Sequence, residues 1–121
     1  MADILIIDDD RQMRRLLIRV LEGAGHVVYE AENGGDGLAL FRRVQPLLVI
    51  TDLVMPDTEG IETIRELRRE APTIPILAVS GGGPPVYLRA ATALGATAAL
   101  AKPFVAAELL GLVTDLLARA S

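Results

Sequence analysis

The sequence predicts a three-layer α/β fold, with one five-stranded parallel sheet between two layers of helices. Three observations carry this. Short apolar runs alternate five times with stretches of helical period. The runs are apolar throughout rather than on every second residue, so both faces are covered, which favours parallel strands. A chain of 121 residues with 51% hydrophobic residues is the size of one domain with a real core. Right-handed crossovers then place helices on both faces.

The first run, Ile4–Ile7, is β-branched and ends at Asp8. Met13, Leu16, Leu17, Val20 and Leu21 follow with the spacing of a one-faced helix, capped by Asp10 and stopped near Gly23 and Gly25. Val27–Ala31 is the second strand, and His26 begins it. Asn33 caps a helix through roughly Arg43, with Leu38 and Phe41 inward, and Pro46 ends the unit. Leu47–Thr51 is the third strand, closed by Asp52. Residues 55–58 form a loop, and Ile61, Ile64 and Leu67 define a third helix. Asp57 and Glu59 suit its start through the helix dipole. Ile74–Val79 is the fourth strand, ending at Ser80. The loop Gly81–Pro85 leads to a helix with Tyr87, Ala91 and Leu94 on its apolar face and Gly95 at its end. Ala98–Ala101 is the fifth strand, broken by Lys102-Pro103. Leu109, Leu110, Val113, Leu116 and Leu117 mark the last helix. Met13, Phe41 and Leu67 are core by period. Arg14-Arg15 and Arg68-Arg69 read as solvated helix faces.

Composition excludes several functions. Sixteen acidic residues against 12 basic ones give a net charge of −4, which disfavours binding to nucleic acid. There are no cysteines, hence no disulfide, thiol nucleophile or zinc-thiolate site. The opening apolar run is too short for a membrane span and does not read as a signal peptide, so a cytoplasmic location is expected. A lone histidine makes a histidine metal site improbable. Gly81–Gly83 are not followed by Gly-Lys-Ser/Thr, and no Gly-x-Gly-x-x-Gly follows the first strand, which argues against nucleotide sites.

The polar residues of interest share one address. Asp8, Asp52, Ser80 and Lys102 close strands 1, 3, 4 and 5, and open parallel sheets bind ligands at the carboxyl ends of their strands. With the order 2-1-3-4-5, Asp8, Asp9 and Asp52 face one another between strands 1 and 3. Three crowded carboxylates resist joint ionisation, and a hard cation such as Mg²⁺ relieves this with oxygen ligands. Setting these three acids aside leaves 13 acids against 12 bases, so the excess negative charge concentrates there. An aspartate can be a nucleophile in phosphoryl transfer, which depends on positioning and on neutralising charge. Lys102, the one lysine among 12 basic residues, offers a compact charge, and Ser80 a hydroxyl.

Four segments together resemble the response-regulator receiver domain of two-component signalling: ILIIDDD at the start, TDLVMPDTEG around Asp52, Ser80 after the fourth strand, and GATAALAKPF near the end. The resemblance spans essentially the whole chain and implies a (βα)5 flavodoxin-like fold. It implies that Asp52 accepts a phosphoryl group from a phosphohistidine on a sensor histidine kinase or histidine phosphotransfer protein. It further implies that Asp9 ligates Mg²⁺ directly, Asp8 mainly through water, and Asp52 and the Val54 carbonyl complete the set. Ser80 and Lys102 would meet the phosphoryl group, and the Lys102–Pro103 bond would be cis. The chain would not be an enzyme beyond its own phosphorylation and dephosphorylation.

Two positions depart from the family pattern. Ala99 stands where a Tyr or Phe is usual, three residues before the lysine, and Ala98 where Asp is common. An alanine has no rotamer to switch, so rearrangement of loop 81–85, with Tyr87 as substitute aromatic, is the expected readout. Two alternatives stand beside this reading. One is an interaction domain that works without phosphorylation. The other is a phosphatase with an aspartyl nucleophile on strand 1, which Asp8-x-Asp10 favours and Gln12 opposes. The chain is expected to form a single domain over residues 1–121, stand-alone or part of a longer regulator, with the downstream target unspecified. A homodimer through the fourth and fifth helices is compatible with the sequence, though no residue pattern compels it.

Overall fold

The computed structural model describes residues 1–53, 59–80 and 85–120, without the side chains of residues 59, 85–88 and 120. Five strands, β1 (Asp3–Ile7), β2 (Val27–Ala31), β3 (Leu48–Asp52), β4 (Ile76–Ser80) and β5 (Ala98–Ala101), alternate with five helices. These are α1 (Arg11–Gly23), α2 (Gly34–Val44), α3 (Glu59–Glu70), α4 (Pro85–Leu94) and α5 (Ala106–Ala120). All strand pairs are parallel, in the order β2-β1-β3-β4-β5. The flavodoxin-like architecture expected from the sequence is therefore present.

Alternation along each strand divides the core in two. Ile4 and Ile6 of β1, Leu48 and Ile50 of β3, and Leu77 and Val79 of β4 pack with Leu17 and Leu21 of α1 and Leu109, Val113 and Leu116 of α5. Leu5 and Ile7, Val49, and Ile76 and Ala78 turn to the other face, against Phe41 of α2, Ile64 and Leu67 of α3, and Ala91 of α4. Both faces being buried is why these strands read as unbroken apolar runs. Truncating any of the fully buried leucines would cost about 2–5 kcal/mol.

The caps follow the sequence reading. Asp10 Oδ1 accepts from the amides of Gln12 and Met13 at 2.9 and 3.4 Å, and Asn33 Oδ1 accepts from Asp36 N at 2.8 Å. Gly95 ends α4 at φ +132°, a conformation side-chain-bearing residues avoid. Loop 81–84 and the Tyr87 side chain lie outside the described residues, as do Asp57 and the Glu59 side chain.

Six residues depart from expectation. Leu16 and Leu94 are not core: they are exposed, because the inward stripe of α1 centres on Leu17 and Leu21, and Leu94 ends α4 beyond the sheet's cover. Leu47 lies outside β3 with an exposed side chain, although its amide donates to Asp3 O at 2.9 Å. Ile74 precedes β4, which begins only after Pro75, a residue without an amide to pair. Neither Arg14 nor Arg68 is a freely solvated residue.

Arg68 instead gathers the carboxyl ends of two helices. Its Nε and Nη2 donate to Gly95 O at 3.1 and 2.7 Å, and Nη1 donates to Ala71 O, Pro72 O and Ile74 O at 3.0, 3.0 and 2.8 Å. These carbonyls follow α3 and α4, where helices leave acceptors unpaired. Substituting Arg68→Met should lower stability by about 2–3 kcal/mol in urea unfolding, since several half-buried carbonyls lose a charged donor. Arg65→Met, on the exposed face of α3, should change it by less than about 0.5 kcal/mol.

Candidate functional site

The sheet order reverses between β1 and β3. Chain leaving β1 turns to one face through α1, and chain leaving β3 turns to the other through α3, which opens a crevice at the strands' carboxyl ends. Asp8, Asp9 and Asp52 are placed there, each offering a carboxylate oxygen within 4.8 Å of the others.

Asp8 is fixed on three sides. Its amide donates to Ala31 O at 3.0 Å, its Oδ1 accepts from Asp10 N at 2.8 Å, and its carbonyl accepts from Arg14 Nη1 at 2.7 Å. Its Oδ2 is buried and accepts no hydrogen bond among the described residues. Lys102 Nζ lies 3.6 Å from that oxygen and 3.1 Å from Asp52 Oδ1, to which it donates. Lys102 is held by its own amide, which donates to Ser80 O at 2.8 Å, and is followed by a cis bond to Pro103. Ser80 is buried at the end of β4, opposite Ala101 of β5 and one residue beyond Val79, the partner of Asp52. The sheet thus brings Asp8, Asp9, Asp52 and Lys102 together, with Ser80 at the same edge. Val54 lies outside the described residues.

Burial dominates the electrostatics. Asp8 is 3% exposed, and desolvation pushes its carboxyl up from 3.8 to about 6, helped by Asp52 and Asp9 and opposed by the Asp10 amide and by Lys102. Asp52 is also raised, first by desolvation, while Lys102 pulls it back down. One ammonium facing three acids leaves the cluster net negative. A buried carboxylate oxygen that accepts no hydrogen bond among the described residues, beside two more acids, is the donor set of a hard divalent cation, and Mg²⁺ fits it.

Two neighbours had no clear signal in the sequence. Gly60, in the first turn of α3, lets that helix approach the main chain of Asp52, where an added Cβ would meet Asp52 O at 2.8 Å. A small cavity of about 60 Å³ beside Asp52 is lined by Asn33, Thr51, Gly60 and Thr63 among others. The turn carrying Asn33 reads as a cap alone until β2 is set beside β1.

A family model described as the response regulator receiver domain matches residues 4–114. The chain belongs to that family. Among relatives, this receiver domain is 45% identical over 82 residues to Protein PilH of Pseudomonas aeruginosa, covering 66% of this chain and 68% of PilH. It is 39% identical over 109 residues to the KDP operon transcriptional regulatory protein KdpE of Escherichia coli, covering 90% of this chain and 48% of KdpE. The receiver thus spans about half the length of KdpE, as it does of the transcriptional regulatory protein ResD of Bacillus subtilis, with 49% covered. Among solved structures, chemotaxis protein CheY4 of Vibrio cholerae aligns with a TM-score of 0.87 at 30% identity, covering 96% of this chain and 98% of CheY4. NtrX of Brucella abortus aligns at 0.92 and 28% identity, over 98% of this receiver and 26% of NtrX. No helix among the described residues is long and apolar enough to cross a membrane.

The raised Asp8 carboxyl has a consequence for stability. Its folded pKa lies above its unfolded value, so the stability it contributes is full below about 3.8 and lost as pH rises through about 6. In metal-free buffer at pH 7, Asp8→Asn should therefore raise stability, by up to about 3 kcal/mol. The gain should shrink as pH falls from 7 to 4 in parallel thermal melts. A loss of stability at pH 7 would contradict a carboxyl raised by burial and by its acidic neighbours.

Proposed function

We propose that this receiver domain takes a phosphoryl group onto Asp52 from the phosphohistidine of a sensor histidine kinase or histidine phosphotransfer protein. Residues 1–121 would act as one domain, and Mg²⁺ would be held by Asp8, Asp9, Asp52 and the carbonyl of Val54. The observation that supports this most is the 3.1 Å contact of Lys102 Nζ with Asp52 Oδ1 inside the acidic cluster.

The chemistry follows from these groups. Lys102 favours the ionised form of the Asp52 carboxyl and so opposes the effect of its burial. An Asp52 oxygen attacks phosphorus in line with the leaving imidazole. The new O–P bond forms as the N–P bond breaks, and the imidazole departs with the bonding pair and takes a proton. The two-charge phosphoryl group then competes for Lys102, and Ser80, buried at the end of β4, would donate its hydroxyl to it. A bound Mg²⁺ supplies the remaining neutralisation of the phosphoryl oxygens. Slow hydrolysis of the acyl phosphate returns the domain to its first state, so its chemistry is confined to Asp52.

The phosphorylated domain would switch the binding of a target or pass the phosphoryl group on, in the cytoplasm and without direct contact to nucleic acid. Ala99 is partly buried and packs with the α2–α3–α4 side of the core, where it offers no aromatic rotamer. Movement in the loop before α4 is accordingly the proposed route of the signal. The same Ala99 favours, as a second reading, a domain whose partners bind it irrespective of phosphorylation.

Incubation with phosphoramidate and Mg²⁺, followed by intact-mass measurement, tests the proposal. The wild-type chain should gain one phosphoryl group that is labile to base and to hydroxylamine, and Asp52→Asn or chelation of the metal should abolish the gain. Lys102→Met should slow it about a hundredfold or more, and Lys102→Arg should not restore it, because a planar fork replaces a point charge. An equal gain in Asp52→Asn would move the acceptor elsewhere.

A further inference from the structure

Arg14 stands one turn into α1 and is 12% exposed, unlike the solvated arginine its sequence position suggests. Its guanidinium is shared between two acceptors on different elements. Nε donates to Glu30 Oε1 of β2 at 2.8 Å, and Nη1 donates to the Asp8 carbonyl at 2.7 Å. The Asp8 peptide is thereby held at both ends, its amide by Ala31 O and its carbonyl by Arg14. Because Glu30 lies next to Ala31 on β2, one short stretch of strand anchors both holds. The other bonds of the turn belong to the start of α1: Asp10 N donates to Asp8 Oδ1, and Arg14 N donates to Asp10 O at 3.0 Å.

Resting on the phosphoryl-acceptor reading, we propose that Arg14 is a positioning residue for the acidic site. Held by Glu30, it fixes the main chain of the Asp8–Asp9 turn, so that both carboxylates face Asp52. Its action runs through the backbone. A carbonyl held by a charged donor keeps a turn in place that would otherwise relax outward under the mutual repulsion of its own carboxylates. Groups that orient a metal-binding shell are typically worth ten- to a hundredfold in affinity.

The test measures Mg²⁺ binding by calorimetry at fixed ionic strength for the wild type, Arg14→Met, Arg14→Lys and Glu30→Gln. A control, Arg42→Met, breaks the two-pronged Arg42–Glu70 pair between α2 and α3, remote from Asp8. Arg14→Met should weaken Mg²⁺ binding about tenfold or more, and Arg14→Lys should recover part of it. Glu30→Gln should fall between wild type and Arg14→Met, and Arg42→Met should stay within about twofold of wild type. In metal-free buffer, the amide resonances of Asp9 and Asp10 should shift in Arg14→Met and not in Arg42→Met. Phosphorylation by phosphoramidate at saturating Mg²⁺ should fall less than affinity does. If Arg14→Met binds Mg²⁺ like wild type, Arg14 is only a structural pair and the positioning role is overturned, while the phosphoryl-acceptor reading stands. If the wild type itself binds no Mg²⁺, both fail together.

Discussion

Everything at the site answers to the repulsion among Asp8, Asp9 and Asp52. Three carboxylate oxygens within 4.8 Å would drift apart in a flexible chain. They stay because the Asp8–Asp9 turn and Asp52 are mounted on two neighbouring strands of a rigid frame. Asp52 ends β3, a strand paired on both sides. Asp8 follows β1, also paired on both sides, and its peptide is bonded at both ends. Lys102 reaches them only because β5 pairs with β4, and the Lys102 amide continues that pairing to Ser80 O. The hydrophobic sandwich thus holds charges in an arrangement they would not choose, and the Asp8 and Asp52 carboxyls are raised first by their burial in it and further by the neighbouring acids.

The two ends of the sheet use polar groups differently. At the carboxyl ends of the strands, acids are gathered around one lysine, and Asp8 Oδ2 accepts no hydrogen bond among the described residues. At the opposite end, Arg68 binds carbonyls that follow both α3 and α4, and Arg42 joins α2 to α3 through a two-pronged contact with Glu70 at 2.9 and 2.6 Å. The satisfied end ties the helices down, and the frustrated end is where a ligand would have the most to offset.

Most of the fold was legible in the sequence because its signals are local. Asp10 and Asn33 cap as their residue types suggest, and the apolar runs of β1, β3 and β4 are buried on both faces. The site acids were legible for a topological reason: strand-end residues converge once the strand order is known. Leu16 and Leu94 misled because period alone does not say which edge of an apolar stripe the neighbouring helices and sheet cover. Arg14 and Arg68 were misread for a different reason. Arg14's acceptors include Glu30, sixteen residues away, and Arg68's include the Gly95 carbonyl, twenty-seven away, so no spacing rule on one helix could announce them. Gly60 was silent for the same reason, since its role is the room it leaves for Asp52 O.

The bias of the chain toward arginine acquires a physical meaning here. Arg14, Arg42 and Arg68 each spread a guanidinium over two or more acceptors, which a planar fork of five donors does well. Each such contact is directional, and breaking it means losing several bonds together. Lys102 faces Asp52 and Asp8 at 3.1 and 3.6 Å as a single compact charge on a flexible stem. An ammonium can exchange one carboxylate oxygen for another, or for a phosphoryl oxygen, by small rotations of its stem. The residue chosen at the fixed joints holds shape, and the residue chosen at the acidic cluster can change partner without the frame moving.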